Sequence, residues 1–439
     1  MVTHSSAPPV TAVLADAPNG VPARIGHYRW AICGLLFVAT TINYMDRQVL
    51  GILAPVLQTS LGWTEVQYGY IVTAFFVAYA GGVLTFGAII DRIGTRLGYT
   101  IAMAIWSLAS MGHALARSAF GFGVARFTLG LGEAGNFPGA CKTVAEWFPR
   151  KERALATGIF NSGANIGAIV APLAVPWITL RYGWRAAFIA TGLCGIPWIV
   201  VWLLAYRKPR EHPRLSPAEL RHIESDGPDR DARIPWLSLL AYRQTWAFVI
   251  AKGLTDPIWW FFLYWLPKFL HQQHGLSLGE LGPPLVAIYL LSDCGSIFGG
   301  WLSSRFLKAG WPLNRARKTA MLVFALTVTP IVYASRVSSL WGAVALVSMA
   351  CASHQAWAAN MFTLGSDLFP RGAVASVTGM GTCVGGIIGM FIANFTGFVL
   401  QTTGSYLPMF ILVGCIYLFA LLILQLLAPK LEPAGIAGT

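Results

Sequence analysis

Charged residues are scarce in this chain: they make up 11% of its 439 residues, whereas 56% are hydrophobic. A soluble domain carries about 25% charged residues, so this sequence lacks the polar atoms that would cover a water-facing surface. The apolar runs have the length of membrane-spanning helices, and the shorter alternating segments of a membrane barrel are missing. Because every backbone amide in lipid needs an internal partner, the sequence predicts an all-α polytopic membrane protein.

Other absences narrow the class further. The seven cysteines are scattered through apolar segments without close pairs, which excludes a disulfide framework and a metal site built on cysteine. The net charge of +13 comes from basic residues in short loops rather than from a patch, so no nucleic-acid partner is expected. Ser162 has no histidine at matching depth to activate it, which argues against a membrane enzyme. No metal or cofactor is predicted, and nothing indicates more than a monomer in the lipid bilayer.

The apolar runs predict twelve transmembrane helices in two pseudo-symmetric six-helix bundles. Residues 1–27 are read as a disordered cytoplasmic tail rather than a signal peptide. The spans are expected near 29–53, 68–90, 98–116, 120–146, 154–178, 185–206, 244–270, 281–304, 317–335, 340–364, 373–400 and 405–428. The corresponding domains are an N-terminal bundle at 28–206, a cytoplasmic central loop at 207–243, a C-terminal bundle at 244–429 and a tail at 430–439.

The distribution of basic residues predicts the orientation. They concentrate in the loops on one side of the spans and are rare on the other, which places both termini in the cytoplasm by the positive-inside rule. In the central loop, Ser216 and Pro217 are expected to cap and begin a short amphipathic helix.

The two halves share a local sequence repeat. The segment 146–150 (EWFPR) recurs as 367–371 (DLFPR), and Gly158 has its counterpart in Gly379. The offset is constant at 221 residues (367 − 146 and 379 − 158). Parallel repeats about an axis normal to the membrane build one large class of transporters, so this pattern favours that architecture.

Five short segments resemble known families. The segment 87–96, with Gly87, Asp91, Arg92 and a second glycine after the second span, resembles the loop signature of the major facilitator superfamily. The segments 42–47 (INYMDR) and 132–138 (GEAGNFP) resemble the anion:cation symporter family within it, whose members carry organic anions with protons or sodium. The segment 255–267 and the pair 354–355 are similar to bacterial hexuronate carriers.

Ionisable residues within spans cost several kcal/mol unless they face a cavity or a partner. Asp46 and Arg47 lie in the first span, and Arg126 and Glu133 lie seven residues apart on roughly one face of the fourth. Arg47 can grip a carboxylate with two parallel donors. Burial favours the protonated form of Glu133, which makes it a candidate proton carrier, and Arg126 would oppose that protonation while paired with it. Asp46 is expected to compete for Arg47 or to take a second proton.

The family resemblance implies the same assignments, with Asp46 and Glu133 as coupling acids and Arg47 as the anion site. Lys252 and Asp256, four residues apart, and Asp293 have two open interpretations: functional groups, or ion pairs that hold helices together. Further candidates for substrate contact are the polar and aromatic residues at cavity depth, namely Tyr79, Asn165, Trp259, Gln355, Asn360 and Asn394. The expected conformational latch on the cytoplasmic face comprises Gly87, Asp91, Arg92, Arg96, Glu146 and Arg150.

The sequence thus predicts a proton-coupled symporter that imports a sugar-acid anion, a hexuronate in the first instance, across a bacterial inner membrane by alternating access. Alternatives are another organic anion such as an aldonate, aldarate or aromatic carboxylate, sodium as the coupling ion, or a receptor that binds a sugar acid without transport. A drug-exporting antiporter is disfavoured, because the fifth span lacks the Gly-Pro-x-x-Gly-Gly pattern of those exporters.

Overall fold

The computed structural model describes residues 26–225 and 236–435, and this part of the chain is helical and contains no β-strand. The first helices are α1 (Tyr28–Leu61), α2 (Glu65–Ile93), α3 (Thr95–Gly112), α4 (Ala119–Glu133), α5 (Asn136–Trp147), α6 (Arg150–Tyr182), α7 (Trp184–Leu193) and α8 (Gly195–Ala205). Two short helices follow, α9 (Pro217–Ile223) and α10 (Trp236–Leu239). The last are α11 (Arg243–His274), α12 (Gly282–Lys308), α13 (Leu313–Val328), α14 (Leu340–Leu368), α15 (Arg371–Thr403) and α16 (Leu407–Leu427).

Helical backbone underlies the predicted spans, but the predicted fourth span at 120–146 is divided into α4 and α5, and the predicted sixth span at 185–206 into α7 and α8. The predicted end of the first span at residue 53 is wrong, because α1 continues through Pro55 to Leu61. A proline removes one backbone hydrogen bond, and here the burial of Ile52, Leu53 and Leu57 holds the helix together across it. Most of residues 1–27 and part of the central loop lie outside the described residues.

The outer surface of the helices is apolar. Six helical segments among the described residues are long and apolar enough to cross a membrane, at Glu65–Val83, Leu155–Tyr182, Trp184–Ala205, Leu278–Lys308, Ser376–Thr403 and Leu407–Leu427. Large hydrophobic side chains such as Phe120, Leu204 and Ile297 are more than three-quarters exposed. A soluble monomer rarely exposes so much contiguous apolar surface, so lipid is the solvent that fits it.

The long helices form an N-terminal group (α1–α8) and a C-terminal group (α11–α16). Within the first, α1 packs along α6 and α2 along α4. The α1–α6 contact is close because Gly167 has no side chain: a Cβ there would lie 2.5 Å from the Thr41 carbonyl oxygen. The two groups meet through the pairs α1–α11, α2–α15 and α6–α12.

Contacts between the two groups gather at one end of the molecule, where α1 ends and α2 begins. There Lys268 of α11 pairs with Glu65 of α2, and Gln401 of α15 accepts a hydrogen bond of 3.0 Å from the Glu65 amide. Further in, the Tyr68 hydroxyl donates to the Tyr264 carbonyl oxygen at 2.7 Å. This end, here called the sealed end, holds the two groups together.

The sequence repeat has a repeated local geometry. Pro149 and Pro370, which precede α6 and α15, both have φ −62° and ψ 153°. Both helices are 33 residues long, and each ends at a glycine with positive φ, Gly183 or Gly404. The shared motif therefore builds the same turn and the same helix in each group.

The short helix α9 docks on the N-terminal group through charged residues. Ser216 caps it by accepting a hydrogen bond from the Glu219 amide at 3.2 Å, and Pro217 is its first residue, which confirms the prediction. Glu219 accepts from the Arg29 side chain at 3.2 Å and from its amide at 3.1 Å. Arg29 also pairs with Glu152 of α6 at 2.8 Å, and His222 contacts the same carboxylate at 2.8 Å.

Candidate functional site

The centre of the N-terminal group holds a buried ion pair between two helices. Arg47 of α1 donates from Nε to Oε2 of Glu133, at the end of α4, at 2.9 Å. Its Nη2 lies 2.8 Å from the same oxygen and donates to Asn43 Oδ1 at 3.3 Å. Both side chains are almost fully buried. The other carboxylate oxygen of Glu133, Oε1, has no hydrogen-bond partner among the described residues. Glu133 therefore occupies the donor fork of Arg47, that is, the two neighbouring N–H groups that could otherwise bind the carboxylate of another molecule.

Aromatic rings surround the Arg47 guanidinium. Its Cζ atom lies 4.8 Å from the ring centroid of Tyr44, 5.0 Å from that of Tyr79 and 5.1 Å from that of Phe75. Trp260 of α11 lies 6.0 Å away and is in T-shaped contact with Tyr79. Both helix groups thus contribute to this cage, whose ring faces stabilise a cation and can stack on the apolar face of a sugar.

Arg126 is also buried, and in this conformation it forms no ion pair with Glu133. Its Nη2 donates to the Arg47 carbonyl oxygen at 2.6 Å and to the Tyr264 hydroxyl at 3.1 Å. The Phe75 ring centroid lies 5.1 Å from its Cζ, the same distance as from that of Arg47, so one ring contacts both guanidinium groups. The face shared by Arg126 and Glu133 was foreseeable from helical spacing, whereas the partner of each depends on which helices are neighbours.

Asp46 lies on a different face of α1 from Arg47. Its Oδ1 accepts a hydrogen bond of 2.8 Å from the Ser110 hydroxyl of α3, which is also 3.4 Å from the Thr191 hydroxyl of α7. The Asp46 side chain is buried, and its second oxygen has no partner among the described residues. The two acids therefore sit in separate environments, and only Glu133 contacts Arg47.

A second set of polar residues lies in the C-terminal group. Lys252 and Asp256 of α11 form an ion pair of 2.6 Å, with the lysine side chain buried. Nearby, His354 of α14 stacks on Trp259 with ring centroids 5.6 Å apart, and its Nδ1 is 2.6 Å from the Tyr417 hydroxyl. Asp293 of α12 is half-buried.

The remaining candidates for substrate contact are dispersed. Asn394 of α15 accepts a hydrogen bond of 2.9 Å from Thr73 of α2 and so bridges the groups. Asn360 donates to the Gly299 and Ala356 carbonyl oxygens at 3.0 and 2.9 Å, the contacts of a helix-packing residue. Asn165 and Gln355 are half-buried.

The proposed latch residues make their contacts within the N-terminal group. Asp91 pairs with Lys142 of α5 at 2.7 Å, and Arg96 donates to the Leu203 carbonyl oxygen. Glu146 accepts from Thr95 at 2.9 Å and from the Tyr206 hydroxyl. Arg92 lines the cleft beside this set, and a Cβ added at Gly87 would meet open space. Arg150 begins α6, and its side chain lies outside the described part of the chain.

Several residues of the site were not predicted. Tyr44, Phe75 and Ser110 carry no charge, and an aromatic or hydroxyl residue in an apolar helix is usually a packing residue. The sequence offers a signal only for Tyr44, which lies about one helical turn before Arg47. Phe75 and Ser110 face charged side chains from other helices, and the sequence does not show which helices are neighbours. Trp260 and Tyr264 lie in the segment 255–267 that is similar to hexuronate carriers, but their contacts with the two arginines depend on the α1–α11 interface.

Comparison with known proteins defines the class of protein that this fold and site represent. The family model described as Major Facilitator Superfamily matches residues 36–393, so the chain belongs to that superfamily of membrane transporters, not of enzymes. The hexuronate transporter of Escherichia coli (strain K12) is 30% identical over 411 residues, which cover 91% of this chain and 95% of that protein. A probable galactarate/D-glucarate transporter of Bacillus subtilis (strain 168) is 31% identical, with 92% of each chain covered.

Solved structures agree on the fold. A bacterial homologue of the human lysosomal transporter Spinster, in an inward-facing and occupied conformation, superposes with a TM-score of 0.74 at 18% identity and covers 93% of this chain and 99% of that one. A D-xylose–proton symporter gives a TM-score of 0.71 at 15% identity, with 93% and 98% covered. At these identities the likeness concerns the fold alone.

Proposed function

We propose that this protein imports a sugar-acid anion together with protons, by alternating access between two six-helix halves in a bacterial inner membrane. Twelve helices cross the bilayer in this proposal, and both termini are cytoplasmic. The sealed end then faces outward, and the conformation described here is inward-facing. The names of the relatives, a hexuronate transporter and a galactarate/D-glucarate transporter, support a sugar acid as the substrate.

The observation that carries the proposal is the pairing of Arg47 with Glu133. An ionised Glu133 and the carboxylate of a substrate compete for one guanidinium fork, and they cannot both hold it. Protonation of Glu133 removes its charge and releases the fork to the substrate. Arg126, held by Tyr264 of the other helix group, keeps a second positive charge beside the site in either state. Anion binding and proton binding are thereby linked.

Asp46 is proposed as a second proton site, since it is buried in the same helix but contacts α3 and α7 rather than Arg47. One proton per monoanion makes transport electroneutral, whereas two protons make it carry positive charge inward. Sodium is the alternative coupling ion.

The test is uptake of labelled glucuronate or galacturonate into liposomes that contain the purified protein. We expect accumulation under an inward proton gradient without sodium, and none when the gradient is collapsed. Arg47→Ala and Glu133→Gln should both abolish accumulation. Accumulation that requires a sodium gradient would contradict proton coupling, and binding without any uptake or counterflow would identify a receptor.

A further inference from the structure

The C-terminal group contains a buried cation to which the transport mechanism assigns no role. Lys252 is 6% exposed, and its Nζ lies 2.6 Å from Asp256 Oδ2 and 4.8 Å from the centroid of the Phe362 ring. Removing two charges from water costs several kcal/mol per ion, and replacing such a pair by apolar residues is often neutral or stabilising. Because burial of such an ion pair contributes little net stability, stability alone does not explain why Lys252 and Asp256 are buried here.

The neighbouring helix leaves room for this lysine. Gly381 and Gly385 of α15 face the pair: a Cβ at Gly381 would lie 2.9 Å from Lys252 Cδ, and one at Gly385 would lie 3.3 Å from Asp256 Cβ. An ammonium group has three N–H donors. Only one hydrogen bond from Nζ is found among the described residues, the one to Asp256, so donors remain for a further acceptor.

The position of Lys252 along α11 relates it to the site around Arg47. Lys252, Asp256, Trp260 and Tyr264 follow one another at intervals of four residues, so they form a ridge that is inclined to the helix axis, with each residue close to the face of the next. Trp260 belongs to the cage around Arg47, and Tyr264 contacts Arg126. Lys252 lies eight residues before Trp260, about 12 Å along the helix, toward the end opposite the sealed end.

We propose that Lys252 binds the second carboxylate of a dianionic six-carbon sugar acid, an aldarate, whose first carboxylate is held by Arg47. The two turns of α11 between Lys252 and Trp260, which belongs to the cage around Arg47, are comparable in length to a six-carbon chain with a carboxylate at each end and a charge-assisted hydrogen bond of about 2.8 Å at either terminus. A hexuronate has one carboxylate, so it leaves Lys252 paired with Asp256 alone. This inference rests on the proposed function and adds a subsite that distinguishes two classes of sugar acid.

The test measures the affinity of the purified full-length protein for glucuronate and for glucarate by calorimetry. We expect the wild-type protein to bind both acids. Lys252→Met should weaken glucarate binding about tenfold more than glucuronate binding, a difference of about 1.4 kcal/mol. Lys252→Arg should restore most of the glucarate affinity, and Asp256→Asn should preserve or strengthen it, because the competing carboxylate is gone.

The outcomes separate the subsite from the proposed function. A wild-type protein that binds glucuronate but not glucarate overturns the subsite alone, and so does an equal loss of both acids in Lys252→Met. Failure to bind either acid overturns both proposals. A folded Lys252→Met variant is identified by its unchanged elution in gel filtration, and Lys252→Arg retains the buried charge if the Met variant does not fold.

Discussion

In the proposed mechanism coupling depends on Glu133, because its carboxylate lies against the N–H donors of Arg47. Glutamine at this position has the shape of the protonated acid and cannot lose a proton. We therefore expect Glu133→Gln to bind substrate and to exchange it in counterflow, while accumulation driven by a proton gradient falls to the background. Paired counterflow and gradient-driven uptake in the same liposomes measure this, and accumulation at the wild-type level would contradict it.

Asp46 should affect coupling without affecting the grip on the anion. It is held by Ser110 and contacts α3 and α7, whereas Arg47 faces Glu133 and the aromatic cage. We expect Asp46→Asn to change the substrate Kd by less than about threefold, which corresponds to under about 0.7 kcal/mol, and to slow net uptake strongly. Arg47→Lys is the matched contrast: it keeps the charge but loses the bidentate fork, so its Kd should rise at least tenfold. A large Kd increase in Asp46→Asn would show that the acid assists Arg47 directly.

Part of the site follows from sequence alone. Asp46, Arg47, Arg126 and Glu133 stand out because lipid does not tolerate unpartnered charge, and helical spacing places two of them on one face. Their partners could not be predicted, because the periodicity of one helix does not specify which helices are its neighbours. The pair between Arg47 and Glu133 joins residues 86 apart in sequence, and Trp260 reaches the same cage from the other helix group.

At the scale of elements, the contact between α1 and α6 depends on Gly167 because of its close approach to Thr41. A leucine there must push the two backbones apart, and overpacking of this kind costs about 1–3 kcal/mol. Gly167→Leu should lower the thermal unfolding temperature of the purified protein. Gly158→Leu is the matched control, since a Cβ at Gly158 in the same helix meets nothing within 4 Å. Equal effects of the two substitutions would contradict the packing argument.

The docking of α9 should respond to acid through Glu152. Partial burial favours a higher pKa for this carboxyl, but hydrogen bonds from Arg29 and His222 outweigh it and hold its pKa below the ordinary value. A carboxylate with a lowered pKa stabilises the docked state above its ordinary pKa and loses that contribution as the pH falls through the lowered one.

We therefore expect hydrogen exchange in residues 217–223, corrected for intrinsic rates, to stay slow at neutral pH and to accelerate below about pH 4.3. Glu152→Gln should show faster exchange already at neutral pH. Protection that persists in acid, or that is unaffected by Glu152→Gln, would mean that Glu219 and Arg29 alone hold the helix.

At the scale of the whole molecule, the positions of the long helical stretches were predictable from the apolar runs, but the division of the fourth and sixth stretches into two helices each was not. The end of α1 was not, since Pro55 is a stop signal that tertiary burial overrides. The contacts at the sealed end were not predictable either, because they join residues such as Glu65 and Lys268 that are distant in sequence.

Alternating access requires the sealed end to open. Gln401 accepts a hydrogen bond from the Glu65 amide across the two helix groups. A short thiol cross-linker between Glu65→Cys and Gln401→Cys, in a background without the native cysteines, should leave substrate binding intact and stop transport. Each single-cysteine variant treated with the same reagent is the control. Transport at the wild-type rate after cross-linking would show that the groups do not separate at this end.

The central claim is that protonation of Glu133 frees Arg47 to bind the substrate anion, and the most direct test is the pH dependence of substrate affinity. A proton taken up on binding makes log Kd rise with pH by up to about one unit per pH unit. We predict such a rise for the wild-type protein and for Asp46→Asn, and a flat profile for Glu133→Gln. A wild-type slope retained in Glu133→Gln would contradict the account.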